Sequence, residues 1–235
     1  MSAPGEHPGT LVVSEVFGPT FQGEGPSVGQ VAAFVRLGRC NLACRWCDTP
    51  YTWDWDRHDP AAELATMSVA DVVARLDAVG AGLVVVTGGE PLLQQHRLPP
   101  LLEAVRDRGW QVEVETGGTI APAVPEGLVG RWNVSPKLAS SGMAPERRHR
   151  PDVLRAFVDT GRAVFKFVVQ RPGELDEVAA MVDGSGLDPV WIMPEGTDEA
   201  TVLARMRALA PHVVARGWNL TPRLHVLVWG DRRGT

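Results

Sequence analysis

The chain has 235 residues, of which 44% are hydrophobic and 22% are charged, values that are ordinary for a single soluble globular domain. Its formal net charge is −5, and the short basic run at residues 147–150 is too small to indicate nucleic acid as a direct partner. Residues 1–10 lack the apolar segment of a signal peptide, and no apolar run is long enough to span a bilayer. We therefore expect a cytoplasmic protein without membrane contact.

The predicted elements alternate short β-branched runs with amphipathic stretches, a pattern typical of a parallel sheet covered by helices. Residues 11–16 predict an extra strand at the sheet edge. Core strands are predicted at residues 31–37, 83–87, 111–115, 131–134, 163–169, 189–193 and 223–228. Helices are predicted at residues 69–78 (with Ser68 as N-cap), 98–108, 152–160, 174–182 and 197–210 (followed by Pro211). Length and strand count indicate an α/β fold, an incomplete (β/α) barrel with about six core parallel strands, in one domain covering residues 1–235.

Cysteine is concentrated in one loop, predicted at residues 40–59. All three cysteines of the chain, Cys40, Cys44 and Cys47, lie within eight residues. An odd number argues against disulfides, and a zinc site would need a fourth ligand for which His58 is poorly spaced. A [4Fe-4S] cluster held by three cysteines keeps one iron open to a further ligand. The loop therefore predicts a catalytic iron–sulfur cluster, with zinc or accidental clustering as the less favoured alternatives.

The spacing Cys-x3-Cys-x2-Cys, with Trp46 before the last cysteine, resembles the cluster loop of radical S-adenosylmethionine (SAM) enzymes. By that resemblance the open iron binds the amino and carboxylate groups of SAM. Thr87-Gly-Gly-Glu-Pro resembles the SAM-binding motif of the superfamily, although a glycine pair could also form a tight turn out of the strand. Lys137 could bond the SAM carboxylate or remain a solvated lysine. We place SAM against Gly88, Gly89, Glu90, Ser135, Lys137 and Met193.

Further polar residues follow the predicted strands, where the active sites of parallel α/β folds gather. The run Phe21-Gln-Gly-Glu-Gly, Arg36 ahead of the cysteines, and Cys47-Asp-Thr together resemble the 7-carboxy-7-deazaguanine synthases. The likeness covers most of the chain and includes residues 135–137, Lys166-Phe-Val and residues 224–225. Of Glu113 and Glu115, one is expected to face solvent, and Glu115, which is nearer the strand end, is the better site candidate.

The family resemblance implies a lyase that converts 6-carboxy-5,6,7,8-tetrahydropterin to 7-carboxy-7-deazaguanine with loss of ammonia, in queuosine and 7-deazapurine biosynthesis. It implies reductive cleavage of SAM, hydrogen abstraction at substrate C6, and regeneration of SAM. Arg36 suits the substrate carboxylate, and Glu24 suits the N–H groups of the pterin. We expect the catalytic residues to be Arg36, Glu24 and His225, and further substrate contacts to come from Gln22, Gly23, Thr87 and Glu115. His225 could equally be a structural histidine in an apolar strand.

The same resemblance implies Mg²⁺ near the substrate, with Thr49 as its ligand, whereas chemistry alone favours the neighbouring Asp48. It also implies a reductant such as a flavodoxin or ferredoxin. A homodimer is expected because dimers are common among soluble enzymes.

Two rival functions share part of this evidence. A radical SAM activase that forms a glycyl radical on a partner enzyme would have the same cluster loop, but it gives no reason for Gln22, Glu24 and Arg36 together. A non-catalytic zinc or electron-transfer module would need only the cysteines.

Overall fold

One nine-stranded sheet organises residues 9–235, which are the residues that the computed structural model describes. Residues 1–8, and with them most of the segment on which the signal-peptide argument depends, lie outside this range. The strands are β1 Thr10–Phe21, β2 Val31–Leu37, β3 Ala65–Ser68, β4 Leu83–Gly88, β5 Gln111–Thr116, β6 Arg131–Val134, β7 Ala163–Val169, β8 Val190–Pro194 and β9 Asn219–Leu220. The helices are α1 Pro60–Glu63, α2 Val69–Val79, α3 Pro99–Asp107, α4 Pro145–Arg148, α5 Pro151–Asp159, α6 Leu175–Ser185, α7 Glu199–Ala215 and α8 Leu224–Trp229. Within the described range, no helix is long and apolar enough to cross a membrane.

The strand order is β3-β1-β2-β4-β5-β6-β7-β8-β9. β1 pairs antiparallel with β2 and β3, and every pairing from β2 to β9 is parallel. The sheet therefore stays open, with β3 and β9 at its two edges. The predicted incomplete barrel, with six core parallel strands from β2 to β8, is confirmed.

Alternation along the strands divides the sheet into two faces. Val84 and Val86 of β4 lie in the main core beneath the helices, whereas Leu83 and Val85 belong to a smaller apolar cluster on the opposite face. All four side chains are buried, as expected for a parallel strand that is covered on both sides. The helices cover one face, and the inner face of the open barrel is left for a pocket.

The predicted start of the first long helix is confirmed. The Ser68 hydroxyl accepts a hydrogen bond from the Asp71 backbone N–H at 3.1 Å, which satisfies a donor that the first helical turn cannot pair. Gly80, in the left-handed conformation, ends α2. α6 runs three residues beyond its predicted end because Gly186, rather than Gly184, adopts that conformation.

Two predictions at the ends of the sheet are wrong. The run at residues 11–16 is part of the longer β1, which is not at the edge, because the four residues of β3 pair along its outer side. Residues 223–228 are not a strand but mainly the helix α8, and the two-residue β9 takes the last place in the sheet. Their apolar alternation was misleading because only Val226 is buried among the apolar residues of α8.

The predicted end of α7 at Pro211 is also wrong. The helix continues to Ala215 with Pro211 inside it. Leu209 and Val213, four residues apart on one face, are 0% and 1% exposed. Burying Val213 contributes about 1.5–3 kcal/mol, which is comparable to the cost of about 3 kcal/mol for an interior proline.

Replacing Phe157 by alanine is expected to lower the free energy of unfolding by about 3–5 kcal/mol, because it leaves a cavity in the core. Phe157 is fully buried in α5 and packs edge-on against Trp132, with 5.5 Å between the ring centroids. Urea unfolding followed by circular dichroism measures the change. Val214→Ala is the control, since Val214 is 77% exposed, and it should change the free energy by less than about 0.5 kcal/mol. Equal losses in the two variants would contradict this packing.

Candidate active site

A cavity of about 610 Å³ opens on the inner face of the sheet, at the carboxyl ends of the parallel strands. It is bordered by the cysteine loop, by the segment between β1 and β2, and by the last residues of the chain. Every residue that the sequence assigned to a site lies in its lining: Gln22, Gly23, Glu24, Arg36, Cys40, Cys44, Cys47, Thr49, Thr87, Gly88, Gly89, Glu90, Glu115, Ser135, Lys137, Met193 and His225.

The three cysteines enter this cavity from one loop. Its backbone is fixed to the neighbouring segment by Arg45 N–H, which donates to Ser141 O at 2.9 Å, and the indole N–H of Trp53 donates to Cys47 Sγ at 3.3 Å. Burial raises the pKa of Cys40 to about 12 and also raises the pKa of Cys44. Thiolates at these positions therefore need a metal to stabilise them.

The donor set fits an iron–sulfur cluster, since the loop brings three thiols to one wall and the neighbouring carboxylate, Asp48, is paired with Arg223. Among residues 9–235, no three His, Cys, Asp or Glu side chains already converge as metal ligands. The loop thus supplies the donors and their common location, and the final orientation of the sulfur atoms would be set by the cluster.

Two glycines let the end of β4 lie directly against the end of β2 and the start of the cysteine loop. Gly88 has a φ of 138°, and a Cβ atom there would lie 2.1 Å from Leu37 O. A Cβ atom at Gly89 would lie 2.1 Å from Arg39 O. The glycine pair is therefore required by close backbone approach as well as by the turn.

Glu90 joins the ends of β4 and β5. Its buried carboxylate accepts hydrogen bonds from the Thr116 hydroxyl at 2.9 Å and from the Gly117 N–H at 2.8 Å. Burial raises its pKa despite these bonds. Glu90 thus shapes the wall that the cysteines face.

Lys137 turns into the cavity instead of into solvent. Its ammonium donates to the carbonyl oxygen of Ser135 at 2.6 Å and to the Ser135 hydroxyl at 3.0 Å. It lies 5.9 Å from the centre of the Trp46 ring, within the range of a cation–π contact. This places a cation beside the cysteine loop.

The segment that carries Gln22 and Glu24 crosses the opposite side of the cavity. Gln22 donates to Glu115 Oε1 at 3.2 Å, and the Thr87 hydroxyl donates to Glu115 Oε2 at 2.7 Å. A Cβ atom at Gly23 would lie 2.1 Å from His225 Nδ1, so a larger residue there would displace the imidazole. His225 therefore lies in the cavity, although on a helix and not on the predicted strand.

Two cations that we did not assign to the site hold Glu24. Lys166 forms an ion pair with Glu24 Oε2, and Arg223 Nε lies 3.4 Å from Glu24 Oε1. Burial alone would raise the pKa of Glu24, but Lys166, Arg223 and His225 together hold it well below its ordinary value. Lys166 is the only charged residue in the apolar run of β7, which is a sequence signal for a functional site. Arg223 has no comparable signal.

Arg36 is held on the other rim. Its Nε donates to Glu15 Oε2 at 2.9 Å, and its guanidinium lies 5.4 Å from the centre of the Phe17 ring. Glu15 also accepts a bond from the Tyr51 hydroxyl at 3.2 Å and pairs with Arg233. Glu15 and Arg233 were not predicted, because neither belongs to a recognisable motif.

The side chains of Asp48 and Thr49 are engaged differently. Asp48 pairs with Arg223, so its charge is already compensated. Thr49 Oγ1 lies 3.7 Å from Cys47 Sγ and borders the cavity. Thr49 is thus the more available oxygen ligand of the two.

The expectation that Glu113 or Glu115 faces solvent is wrong. Residues two apart in a strand share a face, so both glutamates of β5 point to the inner side of the sheet. Glu113 is 3% exposed and lies below the cavity, whereas Glu115 lines it.

An open, mainly parallel α/β sheet with three cysteines beside a Gly-Gly-Glu-Pro strand end defines a radical SAM enzyme, and the model of the Radical SAM superfamily matches residues 35–133. The chain belongs to the 7-carboxy-7-deazaguanine synthase family. It is 37% identical to the 7-carboxy-7-deazaguanine synthase of Pyrobaculum aerophilum, over 94% of this chain and 96% of the relative. It is 39% identical to that of Hyperthermus butylicus, over 93% of this chain and 92% of the relative.

The crystal structure of QueE from Escherichia coli matches with a TM-score of 0.71 and 25% identity, over 92% of this chain and 95% of that one. The family that the motifs indicated is therefore confirmed, together with its [4Fe-4S] cluster and SAM. Neither the glycyl-radical activase nor the zinc module is favoured by these relatives.

Gly89→Ala is expected to weaken SAM binding about tenfold or more, because displacing packed backbone costs about 1–3 kcal/mol. Equilibrium dialysis of SAM against the anaerobically reconstituted protein measures the change. Gly173→Ala is the matched control, since a Cβ atom there meets nothing within 4 Å, and it should bind SAM like the unaltered protein. Wild-type affinity in Gly89→Ala would contradict the close approach.

Proposed function

We propose that this chain converts 6-carboxy-5,6,7,8-tetrahydropterin to 7-carboxy-7-deazaguanine with loss of ammonia, a precursor of queuosine and other 7-deazapurines. The observation that carries the proposal is one cavity in which a second set of polar groups faces the cysteine loop. This second set consists of Gln22, Glu24, Arg36, Thr87, Glu115 and His225. SAM does not need these groups, and their donors and acceptors suit a carboxylated pterin. SAM on the reduced cluster supplies the hydrogen abstraction, and the residues of this chain bind, orient and shield the substrate.

Arg36 is proposed to bind the substrate carboxylate. Glu15 fixes the guanidinium through Nε, and the two Nη groups can then donate to a carboxylate in a fork geometry that lysine cannot supply. Phe17 beneath the guanidinium restricts its tilt. The carboxylated edge of the pterin would thus lie against β2.

Glu24 and Gln22 are proposed to receive the amino and amide N–H groups of the pterin. Since Lys166 and Arg223 hold the pKa of Glu24 well below its ordinary value, Glu24 stays ionised at neutral pH. This favours a role as hydrogen-bond acceptor over one in proton transfer. Glu115, which Gln22 and Thr87 orient, would complete the polar contacts.

His225 is proposed to close the same side of the substrate. Burial lowers its pKa, although Glu24 opposes the shift. The imidazole is therefore neutral at pH 7 and keeps one nitrogen as donor and one as acceptor. His225 contacts the backbone of Gly23 and would cap the pterin. Because of this contact with the substrate, we propose it as a catalytic residue.

SAM is proposed to occupy the wall formed by the end of β4 and by residues 135–137. Backbone carbonyls at Gly88 and Gly89 would accept bonds from its ammonium group. Lys137 and Ser135 would bond its carboxylate or ribose hydroxyls, and Met193 supplies an apolar surface. Glu90 supports this wall through its bonds to β5.

A flavodoxin or ferredoxin is proposed as the reductant, because the cluster needs one electron for each activation. We also propose a homodimer, because dimers are common among soluble enzymes. We propose a cytoplasmic location, because three free thiols suit a reducing compartment.

The decisive experiment combines the reconstituted protein with SAM, reductant, Mg²⁺ and 6-carboxytetrahydropterin, and identifies the product by mass. Arg36→Ala should reduce turnover of the pterin at least about a hundredfold, because an unpaired carboxylate loses two charge-assisted bonds. SAM cleavage in the absence of substrate should persist. Arg57→Ala is the control, since Arg57 is 67% exposed and pairs only locally with Asp54. Rapid SAM turnover with a glycyl-radical enzyme, and none with the pterin, would refute the proposal.

Thr49 is proposed as the protein ligand of Mg²⁺, since Asp48 is committed to Arg223. Thr49→Val should weaken the stimulation of turnover by Mg²⁺ about tenfold, and Thr49→Ser should retain it because the hydroxyl remains. A titration of initial rate against Mg²⁺ concentration measures both. If Asp48→Asn loses the Mg²⁺ response while Thr49→Val keeps it, Asp48 is the ligand.

A further inference from the structure

The irregular segment at residues 22–30 carries Gln22 and Glu24 into the cavity. Its ends are closed by the Gln22 N–H, which donates to Gln30 O at 2.8 Å, and by the Gly29 N–H, which donates to Gln22 O at 2.8 Å. Between them lies a 3₁₀ turn at Gly25–Ser27, at which this pairing is interrupted. The Val28 N–H donates to Gly25 O at 3.3 Å, and the Gln30 N–H donates to Ser27 O at 3.0 Å. Bonds within the segment therefore shape its tip, and contacts outside the segment determine where the tip lies on the sheet.

The tip is anchored by a buried carboxylate below the cavity. The Ser27 hydroxyl donates to Glu113 Oε1 at 2.5 Å. Arg131 Nη1 donates to Glu113 Oε1 at 2.6 Å and to the Ser27 hydroxyl oxygen at 2.7 Å. Asn133 donates to Glu113 Oε2 at 2.8 Å. Ser27 is thus bound by two partners from adjacent strands, β5 and β6.

A second contact ties the same turn to the carboxyl-terminal part of the chain. The Gly25 N–H donates to the Thr221 hydroxyl at 2.8 Å, and Thr221 is fully buried. The Gly23 carbonyl accepts a bond from the Leu224 N–H at 2.8 Å. The segment is therefore hydrogen-bonded on one side to β5 and β6 and on the other to residues just before and at the start of α8.

We propose that Ser27 and Glu113 are positioning residues that fix the substrate-binding segment from below the cavity. Neither lines the cavity, so neither would touch the pterin. A serine hydroxyl bonded to a buried carboxylate is directional, and a buried carboxylate is costly unless it is fully paired. The pair therefore has one favourable arrangement, and that arrangement determines how far Gln22 and Glu24 extend into the cavity.

The inference rests on the proposed roles of Gln22 and Glu24 in binding the substrate. If those roles hold, loosening Ser27 should affect the pterin and not SAM, because the SAM wall belongs to β4 and to residues 135–137. The loss should appear in KM more than in kcat, since the segment binds the substrate but would not perform the hydrogen abstraction.

Ser27→Ala in the reconstituted full chain should raise KM for 6-carboxytetrahydropterin about tenfold, while kcat falls less than about twofold. Ser27→Thr, which restores a hydroxyl, should recover most of the affinity. Hydrogen exchange of the amides at residues 22–30, measured without substrate, should become about tenfold faster in Ser27→Ala. SAM cleavage without substrate should be unchanged.

Ser68→Ala is the matched control, because Ser68 also donates to a carboxylate, Asp71 Oδ2, at 2.6 Å, yet it lies outside the cavity lining. It should destabilise α2 without changing KM. Glu113→Gln is a second variant and should raise KM like Ser27→Ala, because the amide replaces the carboxylate that Ser27 binds.

A wild-type KM in Ser27→Ala, or a failure of Ser27→Thr to restore it, would overturn the positioning role. The proposed substrate contacts of Gln22 and Glu24 are tested separately, by Glu24→Gln. If Glu24→Gln leaves KM unchanged, the proposed contacts of Gln22 and Glu24 are wrong, whatever Ser27 does. If Glu24→Gln raises KM and Ser27→Ala does not, only the anchoring is wrong.

Discussion

The buried carboxylate of Glu24 is the charge on which the arrangement of the site depends. A buried anion is tolerated only when it is paired, and here the partners come from two distant parts of the chain, Lys166 of β7 and Arg223 just before α8. Removing one partner would leave an uncompensated buried charge. The pairing therefore links the segment before β2, the far side of the sheet and the carboxyl-terminal helix into one unit.

The same pairing determines the electrostatic character of the cavity. On one side, Glu24 and Glu115 present acceptor oxygens at an inner wall that also carries Lys166. On the other, Arg36 and Lys137 present donors near the cysteine loop. A substrate with donor groups at one end and a carboxylate at the other would find complementary groups at both. Under the proposed function, this distribution of charge would orient the pterin in the cavity.

Sequence reasoning predicted the fold class and the contents of the site because both depend on local patterns. The cysteine spacing and the glycine pair are short motifs, and the core strands are apolar runs whose bounds need no tertiary information. Their placement on consecutive parallel strands follows from topology, since the carboxyl ends of such strands share one edge.

Two of the misses share a physical cause, which is that distant partners override local preference. The segment at residues 223–228 alternates like a strand, yet Arg223 is drawn to Glu24 and Asp48, and the chain turns into α8. Pro211 ends a helix locally, but the burial of Val213 extends it. The error at Glu113 has a local cause, because residues two apart in a strand share a face; Glu113 is paired there with Arg131 and Asn133.

Arg233 fixes the carboxyl-terminal residues at the mouth of the cavity. It pairs with Glu15, donates to Glu63 at 2.8 Å, and lies 4.0 Å from the centre of the Tyr51 ring. The last five residues line the cavity. A tag fused after Thr235 would therefore emerge at the mouth of the cavity, where its bulk would narrow the opening.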